Sequence, residues 1–388
     1  MTEMVHGSVP ARDGEPILPR WWRTVDRWSI SCVLGLFAMG LLLGLAASPP
    51  LAERNGLGQF HYVERQAIFG CMALFTMVIL SMMPPVQVRR LAVLGFAAAF
   101  LALVLLPVFG TDFGKGAVRW YSLGFGSFQP SEFLKPGYIV VAGWLIAASD
   151  DLQGPPGKRA SFLLAVVICG FLAFQPDFGQ AALILFSWGV MYFVAGAPIL
   201  ILGALAGLAV LAGSMAYRAS DHFARRIDGF LSPDVDPTSQ LGYAKGAIRE
   251  GGLLGVGVGE GRVKWSLPDA HTDFIIAVAA EEYGLILVLL IIALFATIVI
   301  RSLIRLMRER DPFIRLAGAG LACTLGIQAI INVSVAVRLL PAKGMTLPFV
   351  SYGGSSLIAA GIMLGILLSF TRVRPQGGIG DALRGRLR

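Results

Sequence analysis

Three carboxylates lie at and just inside the entrance of a long apolar stretch in the C-terminal half of the chain. The segment SLPDAHTDFIIAVAAEEYG, residues 266–284, places Asp273 at the entrance and Glu281 and Glu282 deeper in the same stretch. An Asp or Glu in a membrane helix costs roughly 2.5–3.5 kcal/mol, so such residues usually mark a reaction centre or an ion path.

Asp273 also has an ordinary alternative role. An Asp directly before an apolar helix is commonly its N-cap, worth about 1 kcal/mol, and composition alone favours that interpretation. A cap needs only one carboxylate, however, and this stretch contains two more. Because Glu281 and Glu282 point about 100° apart on a regular helix, one can face a pocket and the other a neighbouring helix, and both should avoid lipid.

A second polar cluster lies upstream, in GAVRWYSLGFGSFQPSEFLK. There Glu132 and Lys135 are three residues apart at the start of an apolar run. The simplest interpretation is an ion pair between residues i and i+3 that lets both side chains enter the membrane edge cheaply. Arg119, Gln129 and Ser131 supply more polar groups than one ion pair needs, which favours a polar pocket.

A third segment, QPDFG, interrupts an apolar region at Pro176 and leaves the Asp177 carboxylate at membrane depth. Irregular backbone is tolerated there only where it is buried in protein or lines a cavity. The alternative is a plain re-entrant turn capped by Asp177, and the residues alone do not decide between the two.

A long polar segment, residues 218–272, carries glycines at 251, 252, 255, 257, 259 and 261. It lacks the Gly-Lys-Ser/Thr ending of a phosphate loop and does not match G-x-G-x-x-G, which argues against nucleotide binding. These glycines more readily allow the backbone to approach other helices or a bulky substrate. Arg249, Arg262 and Lys264 beside them either attract an anionic group or form a solvated charged loop.

A fourth segment, LLPAKGMTLPFVSYGGSS, contains Pro341, Gly344, Pro348 and the Gly353 and Gly354 pair. This composition predicts an ordered, non-helical re-entrant loop with one cation, Lys343. The alternative is a rigid connector.

The composition indicates whether these segments lie in water or in a membrane. Of the 388 residues, 56% are hydrophobic and 14% charged, with a mean hydropathy of +0.71, which identifies an integral membrane protein rather than a soluble domain. Apolar runs approach the ~20 residues that cross a membrane as a helix. We predict an all-α polytopic membrane protein with about ten transmembrane helices. They lie at residues 29–48, 67–83, 91–109, 133–148, 160–174, 180–196, 198–217, 273–300, 313–337 and 355–371.

The basic residues predict the orientation. With the N-terminus inside, most Lys and Arg of the short connections fall on the cytoplasmic side. Both termini are therefore expected in the cytoplasm, with the long loop between helices 7 and 8 outside. Residues 1–28 form the N-terminal tail, 29–371 a single transmembrane domain and 372–388 a basic tail. The net charge of +8 suits anionic lipid headgroups and gives no indication of nucleic-acid binding.

Taken together, five segments resemble one family. RW followed by QPSEFLK, then QPDFG, GGLLGVGVGEG with Lys264, LPDAHTDFIIAVAAEEYG and KGMTLPFVSYGGSS occur in the order and spacing of the SEDS proteins, the FtsW, RodA and SpoVE group of bacterial cell-wall polymerases. The resemblance covers nearly all of the chain. Lys343 and Thr346 look more like the cell-division member than the elongation member. AKGAIREGG departs from the more neutral helix of many relatives.

The resemblance implies a peptidoglycan glycosyltransferase that polymerises lipid II outside the inner membrane, by inversion, during septal synthesis. Asp273 corresponds to the family's essential aspartate, acting as general base or holding a divalent cation, Mg²⁺ or Mn²⁺. The candidates for binding the diphosphate are Arg119, Lys135, Lys264 and Lys343. The candidates for the supporting polar pocket are Glu132, Asp177, Glu281, Ser351 and Ser355.

The resemblance also implies partners and a location. A class B penicillin-binding protein is expected as the crosslinking transpeptidase, together with other divisome proteins, at the septum of the bacterial inner membrane. The ligands are lipid II and the undecaprenyl-diphosphate-linked glycan.

Two other classes of function compete with the polymerase. A lipid II flippase or an ion-coupled transporter also uses intramembrane carboxylates and broken helices, but should concentrate them near the midplane. A scaffold for division proteins would not need Asp273 at all.

Overall fold

The computed structural model describes residues 16–112, 118–124, 126–149, 153–219, 221–232, 239–267, 269–341 and 344–373. The described chain is almost entirely helical. Its helices are α1 (Ile17–Thr24), α2 (Arg27–Arg54), α3 (His61–Met82), α4 (Pro85–Phe109), α5 (Pro130–Ala148), α6 (Gly157–Phe174), α7 (Phe178–Val194), α8 (Ile199–Ala219), α9 (Asp221–Leu231), α10 (Gln240–Gly251), α11 (Ile275–Leu306), α12 (Pro312–Ala336) and α13 (Gly354–Phe370).

Each of the ten predicted spans coincides with one helix, which confirms the all-α polytopic fold. Six described helices, α2, α3, α4, α6, α11 and α12, are long and apolar enough to cross a membrane by length and composition, and α7, α8 and α13 are shorter apolar helices. The remaining span is α5, whose first two turns carry Glu132 and Lys135. The ends differ from the prediction, since α2 and α11 each extend several residues past their predicted C-terminal limits.

Small residues allow the central helices to approach closely. The most extensive helix pairs are α3 with α13, α4 with α5, α11 with α12 and α5 with α12. A Cβ on Gly143 of α5 would lie 2.9 Å from the Cα of Ala317 on α12, and one on Gly361 of α13 would overlap the Ala73 carbonyl of α3. Membrane helices gain little from apolar burial against lipid, so such backbone contacts carry much of their association.

Both terminal segments lie at the same end of the bundle, as an even number of spans requires. The Arg301 guanidinium donates to both carboxylate oxygens of Asp26 at 3.0 and 2.9 Å, and Arg305 lies 3.2 Å from the same group. The Val373 N–H donates to the Thr24 carbonyl at 3.0 Å. We call this end the inner end, because the charge distribution assigns it to the cytoplasm, and the opposite end the outer end.

The long segment at the outer end is partly helical rather than a plain loop. It contains α9, α10 and a 3₁₀ turn, Val263–Trp265. A second, shorter outer connection joins α4 to α5 and holds two paired strands, β1 (Tyr121–Ser122) and β2 (Ser127–Phe128), antiparallel with Tyr121 opposite Phe128.

The buried Asp26 carboxylate is expected to stabilise the inner end. Burial alone would raise the pKa of Asp26, but hydrogen bonds from Arg301 and Ser29 and the charge of Arg305 outweigh it and lower the pKa. Its contribution is therefore present above the unfolded pKa of about 3.9 and is lost as the pH falls through the lowered folded value.

Asp26→Asn should lower the free energy of unfolding by roughly 1.5–3 kcal/mol, the usual value for hydrogen bonds to charged groups, measured by thermal unfolding in detergent at neutral pH. Arg308→Gln is the control, since Arg308 is an exposed residue of the same end. Equal midpoints for wild type and Asp26→Asn would contradict this role.

Candidate functional site

The polar segments singled out in the sequence meet at the outer end of the bundle. Arg119 donates to the carbonyls of Gln175 and Pro176 at 3.0 and 2.8 Å, which joins the first segment to the QPDFG turn. The Ser355 hydroxyl donates to the Ser127 carbonyl, which joins the start of α13 to the β1–β2 connection. Segments far apart in the chain thus form one polar region.

Glu132 and Lys135 form an ion pair that is also part of a cleft. Lys135 Nζ lies 2.8 Å from Glu132 Oε2, both side chains are buried, and the Gln180 amide of α7 donates to Glu132 Oε1 at 2.5 Å. The ion pair predicted from the sequence is present and also borders a cleft, so the two interpretations do not exclude each other. A narrow cleft between α5, α12 and α13 is lined by Glu132, Lys135, Pro136, Gln328, Ser356, Ala359, Ala360 and Met363.

The QPDFG segment is a turn fixed from two sides. Asp177 is the N-cap of α7, where its carboxylate accepts from the Gln180 N–H at 3.4 Å. Arg119 holds the carbonyls on the other side of the turn. The geometry matches a re-entrant turn capped by Asp177, and Gln180 connects this turn to the Glu132 cleft.

Helix α11 is broken at Gly284, where φ is 76° and ψ is −174°. The break leaves main-chain groups of α11 without partners in their own helix, and the glycine-rich segment supplies them. Val256 N–H donates to the Glu281 carbonyl at 2.9 Å, and Gly257 N–H to the Glu282 carbonyl at 3.2 Å. Leu285 N–H in turn donates to the Gly252 carbonyl at 3.0 Å. The glycines therefore dock the outer segment against a membrane helix.

The carboxylates of Glu281 and Glu282 point into this docked segment. Glu281 accepts from the N–H groups of Val263 and Lys264 at 2.7 and 3.3 Å. Glu282 forms an ion pair with Lys264, whose Nζ also donates to the Gly259 carbonyl at 3.2 Å. Glu281, Glu282 and Lys264 are all buried, so their charges are compensated within the protein.

The N-cap position of α11 is Phe274, one residue after Asp273. The helix begins at Ile275, and its N-cap position makes no side-chain cap hydrogen bond. Asp273 is partly exposed, and a Cβ added to Gly344 would lie 3.3 Å from its Oδ2. The carboxylate thus lies beside the loop that precedes α13.

That loop, residues 344–353, is non-helical and internally bonded, as predicted. The buried Ser351 hydroxyl accepts from the Leu347 N–H at 2.9 Å, and the Tyr352 N–H donates to the His271 carbonyl at 2.9 Å. Lys343 lies outside the described residues. The segments around Asp273 and Ser351 therefore form a single surface.

Sequence reasoning missed the buried amides of this region. Asn332 donates through Nδ2 to the carbonyls of Asp273 and Met345 at 3.1 and 2.7 Å, and Gln328 to the Thr346 carbonyl at 3.1 Å. An amide inside an apolar span needs a hydrogen-bond partner. This requirement could have identified Gln328 and Asn332 in the sequence. The aromatic group of Tyr62, His271 and Tyr352, with ring centroids 5.4–5.7 Å apart, had no comparable signal.

The described residues contain no group of three or more His, Cys, Asp or Glu side chains that could hold a metal ion. Mg²⁺ commonly binds through one or two carboxylates, with phosphate oxygens and waters completing its shell. Asp273 provides one such carboxylate, so a cation there fits only together with substrate phosphates.

Comparison with known proteins gives a consistent result. A family model for FtsW, RodA and SpoVE, described as "Cell cycle protein", matches residues 27–375. A protein of Caulobacter vibrioides named "Probable peptidoglycan glycosyltransferase FtsW" is 43% identical over 94% of each chain, and one of Halorhodospira halophila with the same name is 36% identical over 89% of this chain and 90% of its own.

Solved structures resemble the fold over most of its length. A chain from a peptidoglycan synthase complex, studied for the coordination of polymerization and crosslinking, has a TM-score of 0.73 at 29% identity, covering 89% of this chain and 97% of that one. The rod shape determining protein RodA of Thermus thermophilus gives 0.65 at 27%, covering 90% and 97%.

The ion pair of Lys264 with Glu282 should hold the glycine-rich segment on α11. Lys264→Met leaves a buried carboxylate uncompensated and should cost about 3–5 kcal/mol, whereas Lys264→Met with Glu282→Leu should cost clearly less. Hydrogen exchange of residues 251–265 measures the effect directly. Exchange in the single variant no faster than in the double variant would show that the pair does not hold the segment.

Proposed function

The chain belongs to the FtsW, RodA and SpoVE family, and we propose that it is a peptidoglycan glycosyltransferase that polymerises lipid II into glycan strands during septal cell-wall synthesis. The names of its relatives support this activity. The structural observation that carries it is the position of Asp273, a partly exposed carboxylate just before α11 and beside the loop that precedes α13.

Asp273 suits the role of general base. A sugar hydroxyl is a poor nucleophile, and a carboxylate within hydrogen-bond reach can take its proton as the new bond forms. In this reaction the acceptor oxygen attacks the anomeric carbon of the donor, the bond from that carbon to the diphosphate oxygen breaks, and the proton passes to Asp273. Attack from the face opposite the diphosphate inverts the anomeric centre.

The departing undecaprenyl diphosphate needs positive charge. Of the four cations proposed to bind it, Lys135 suits this role best, because its ion pair with Glu132 borders a cleft. Arg119 donates to the main chain of the QPDFG turn and Lys264 is buried against Glu282. Lys343 adjoins Gly344 in the sequence and is the fourth candidate.

The polar pocket divides into two functional groups. Glu132 and Asp177 hold Lys135 and the QPDFG turn in place. Glu281 holds the outer segment, Ser351 fixes the loop before α13, and Ser355 joins the start of α13 to the β1–β2 connection. A divalent cation, Mg²⁺ or Mn²⁺, bound between Asp273 and the substrate would neutralise diphosphate charge.

The substrate chemistry matches the placement of these groups in a membrane protein. Lipid II combines a long prenyl tail with a water-soluble head, so its diphosphate belongs where apolar helices meet polar loops. The cleft joins both characters, since Ala359, Ala360 and Met363 line one side and Glu132, Lys135 and Gln328 line the other.

A crosslinking partner and a location complete the proposal. The similarity to a chain of a peptidoglycan synthase complex supports assembly with a class B penicillin-binding protein, and membership in the family supports other divisome partners. The multi-pass fold places the chain in a membrane, and we propose the septal region of the inner membrane.

The experiment compares wild type with Asp273→Asn, each purified with a transpeptidase-inactive partner, a divalent cation and fluorescent lipid II. Wild type should form glycan ladders, and Asp273→Asn should lose them because its amide does not take the proton. Glu260→Gln, an exposed carboxylate of the same outer segment, is the control and should polymerise normally. Wild type without ladders under any cation but with lipid II transfer across vesicles would favour the flippase, and full activity of Asp273→Asn would refute the base.

Gly344 should matter because it lies against the Asp273 carboxylate. Gly344→Ala places a methyl group 3.3 Å from Oδ2, which is close enough to displace the side chain by a few tenths of an ångström. Displacement of a reacting group by about 1 Å costs up to roughly 100-fold, so we expect a several-fold loss in kcat, measured from ladder formation. Gly246→Ala, where no atom lies within 4 Å of the added group, is the matched control, and equal rates for both variants would contradict the contact.

A further inference from the structure

Asn332 connects two chain segments of the site through a single amide group. It lies on α12, is 2% exposed, and its Nδ2 donates to the Asp273 carbonyl at 3.1 Å and to the Met345 carbonyl at 2.7 Å. Asp273 comes just before α11, and Met345 belongs to the loop before α13. One side chain therefore fixes both segments to a third helix.

The Asn332 side chain has one further polar atom, its amide oxygen Oδ1. This atom is buried without a hydrogen-bond partner among the described residues, and so is the hydroxyl of Thr346, the residue after Met345. A buried polar atom without a partner costs about 1–3 kcal/mol. Both atoms belong to residues at the contact between α12 and the loop before α13.

We infer that Asn332 is a positioning residue for the polymerase reaction, holding Asp273 in register with the loop of residues 344–353. This inference rests on the proposed function. An amide suits the task because its two N–H donors lie in one plane at a fixed angle. Leucine has the same shape without donors, aspartate has the same shape with acceptors only, and glutamine carries the donors one methylene further out.

Asn332 lies on α12, a helix that other helices hold in place. The helix packs against α5, α7, α11 and α13, and its N-terminus is capped by Asp311, which accepts from the Phe313 N–H at 2.9 Å. Catalytic groups keep their geometry when neighbours on rigid elements hold them. By contrast, Asp273 itself lies in a turn, residues 269–274.

The test measures kcat and KM for lipid II in the full chain with its transpeptidase-inactive partner. Asn332→Leu should lower kcat by about 30- to 100-fold, in the range expected for a misplaced catalytic group, while KM changes less than threefold. Asn332→Gln should recover part of the loss. Should the leucine variant fail to fold, Asn332→Asp, which keeps the shape and polarity but has no donor, should show the same loss in kcat.

Thr324→Val is the matched control on the same helix. Thr324 makes a buried hydrogen bond of 2.6 Å to Ser187 of α7, away from Asp273, so its loss should lower thermal stability and leave kcat per folded molecule unchanged. A role of Asn332 in stability alone predicts that Asn332→Leu behaves like Thr324→Val, and that result would overturn the inference.

The two proposals fail in different ways. If Asp273→Asn polymerises at the wild-type rate, the base assignment fails and with it the premise of this inference. If Asp273→Asn is inactive but Asn332→Leu and Asn332→Asp retain kcat, the base assignment stands and the positioning role of Asn332 is refuted.

Discussion

The break of α11 at Gly284 is the constraint on which the outer end of the molecule depends. In a membrane, main-chain groups left unpaired by a break must find partners inside the protein. Residues 251–257 provide these partners, and they approach closely because a Cβ at Gly251 would overlap the Ala280 carbonyl and one at Gly255 would overlap the Glu282 carbonyl. The outer segment and α11 therefore form one unit, and Asp273 lies in the stretch of chain that joins them.

Buried charge in this region is shared between segments that are distant in the chain. Lys135 pairs with Glu132 within one helix turn, and Gln180 of another helix completes the environment of that carboxylate. Lys264 and Glu282 join the outer segment to α11. Such pairs add little to stability, because desolvation offsets much of their attraction, but they strongly disfavour arrangements that separate the partners.

The sequence was a good guide to the fold and to which segments are polar, because the length of apolar runs and the cost of membrane carboxylates are local properties. It could not show which groups the buried polar side chains contact. Glu281 and Lys264 appeared as pocket and diphosphate residues, and only their placement across the break in α11 shows that they bind the main chain and Glu282. Asn332 was overlooked because an amide carries no charge, although its burial carries the same demand for partners.

The same break divides α11 into an inner piece and an outer piece. Below Gly284 the helix is tied at its inner end to Asp26 through Arg301 and Arg305, and above it a short helical piece leads to Asp273. The break separates the ion pairs of the inner end from the short piece that leads to Asp273. The position of Asp273 is therefore set by contacts at the outer end, through the hydrogen bond from Asn332 and the main-chain hydrogen bonds of residues 252–257.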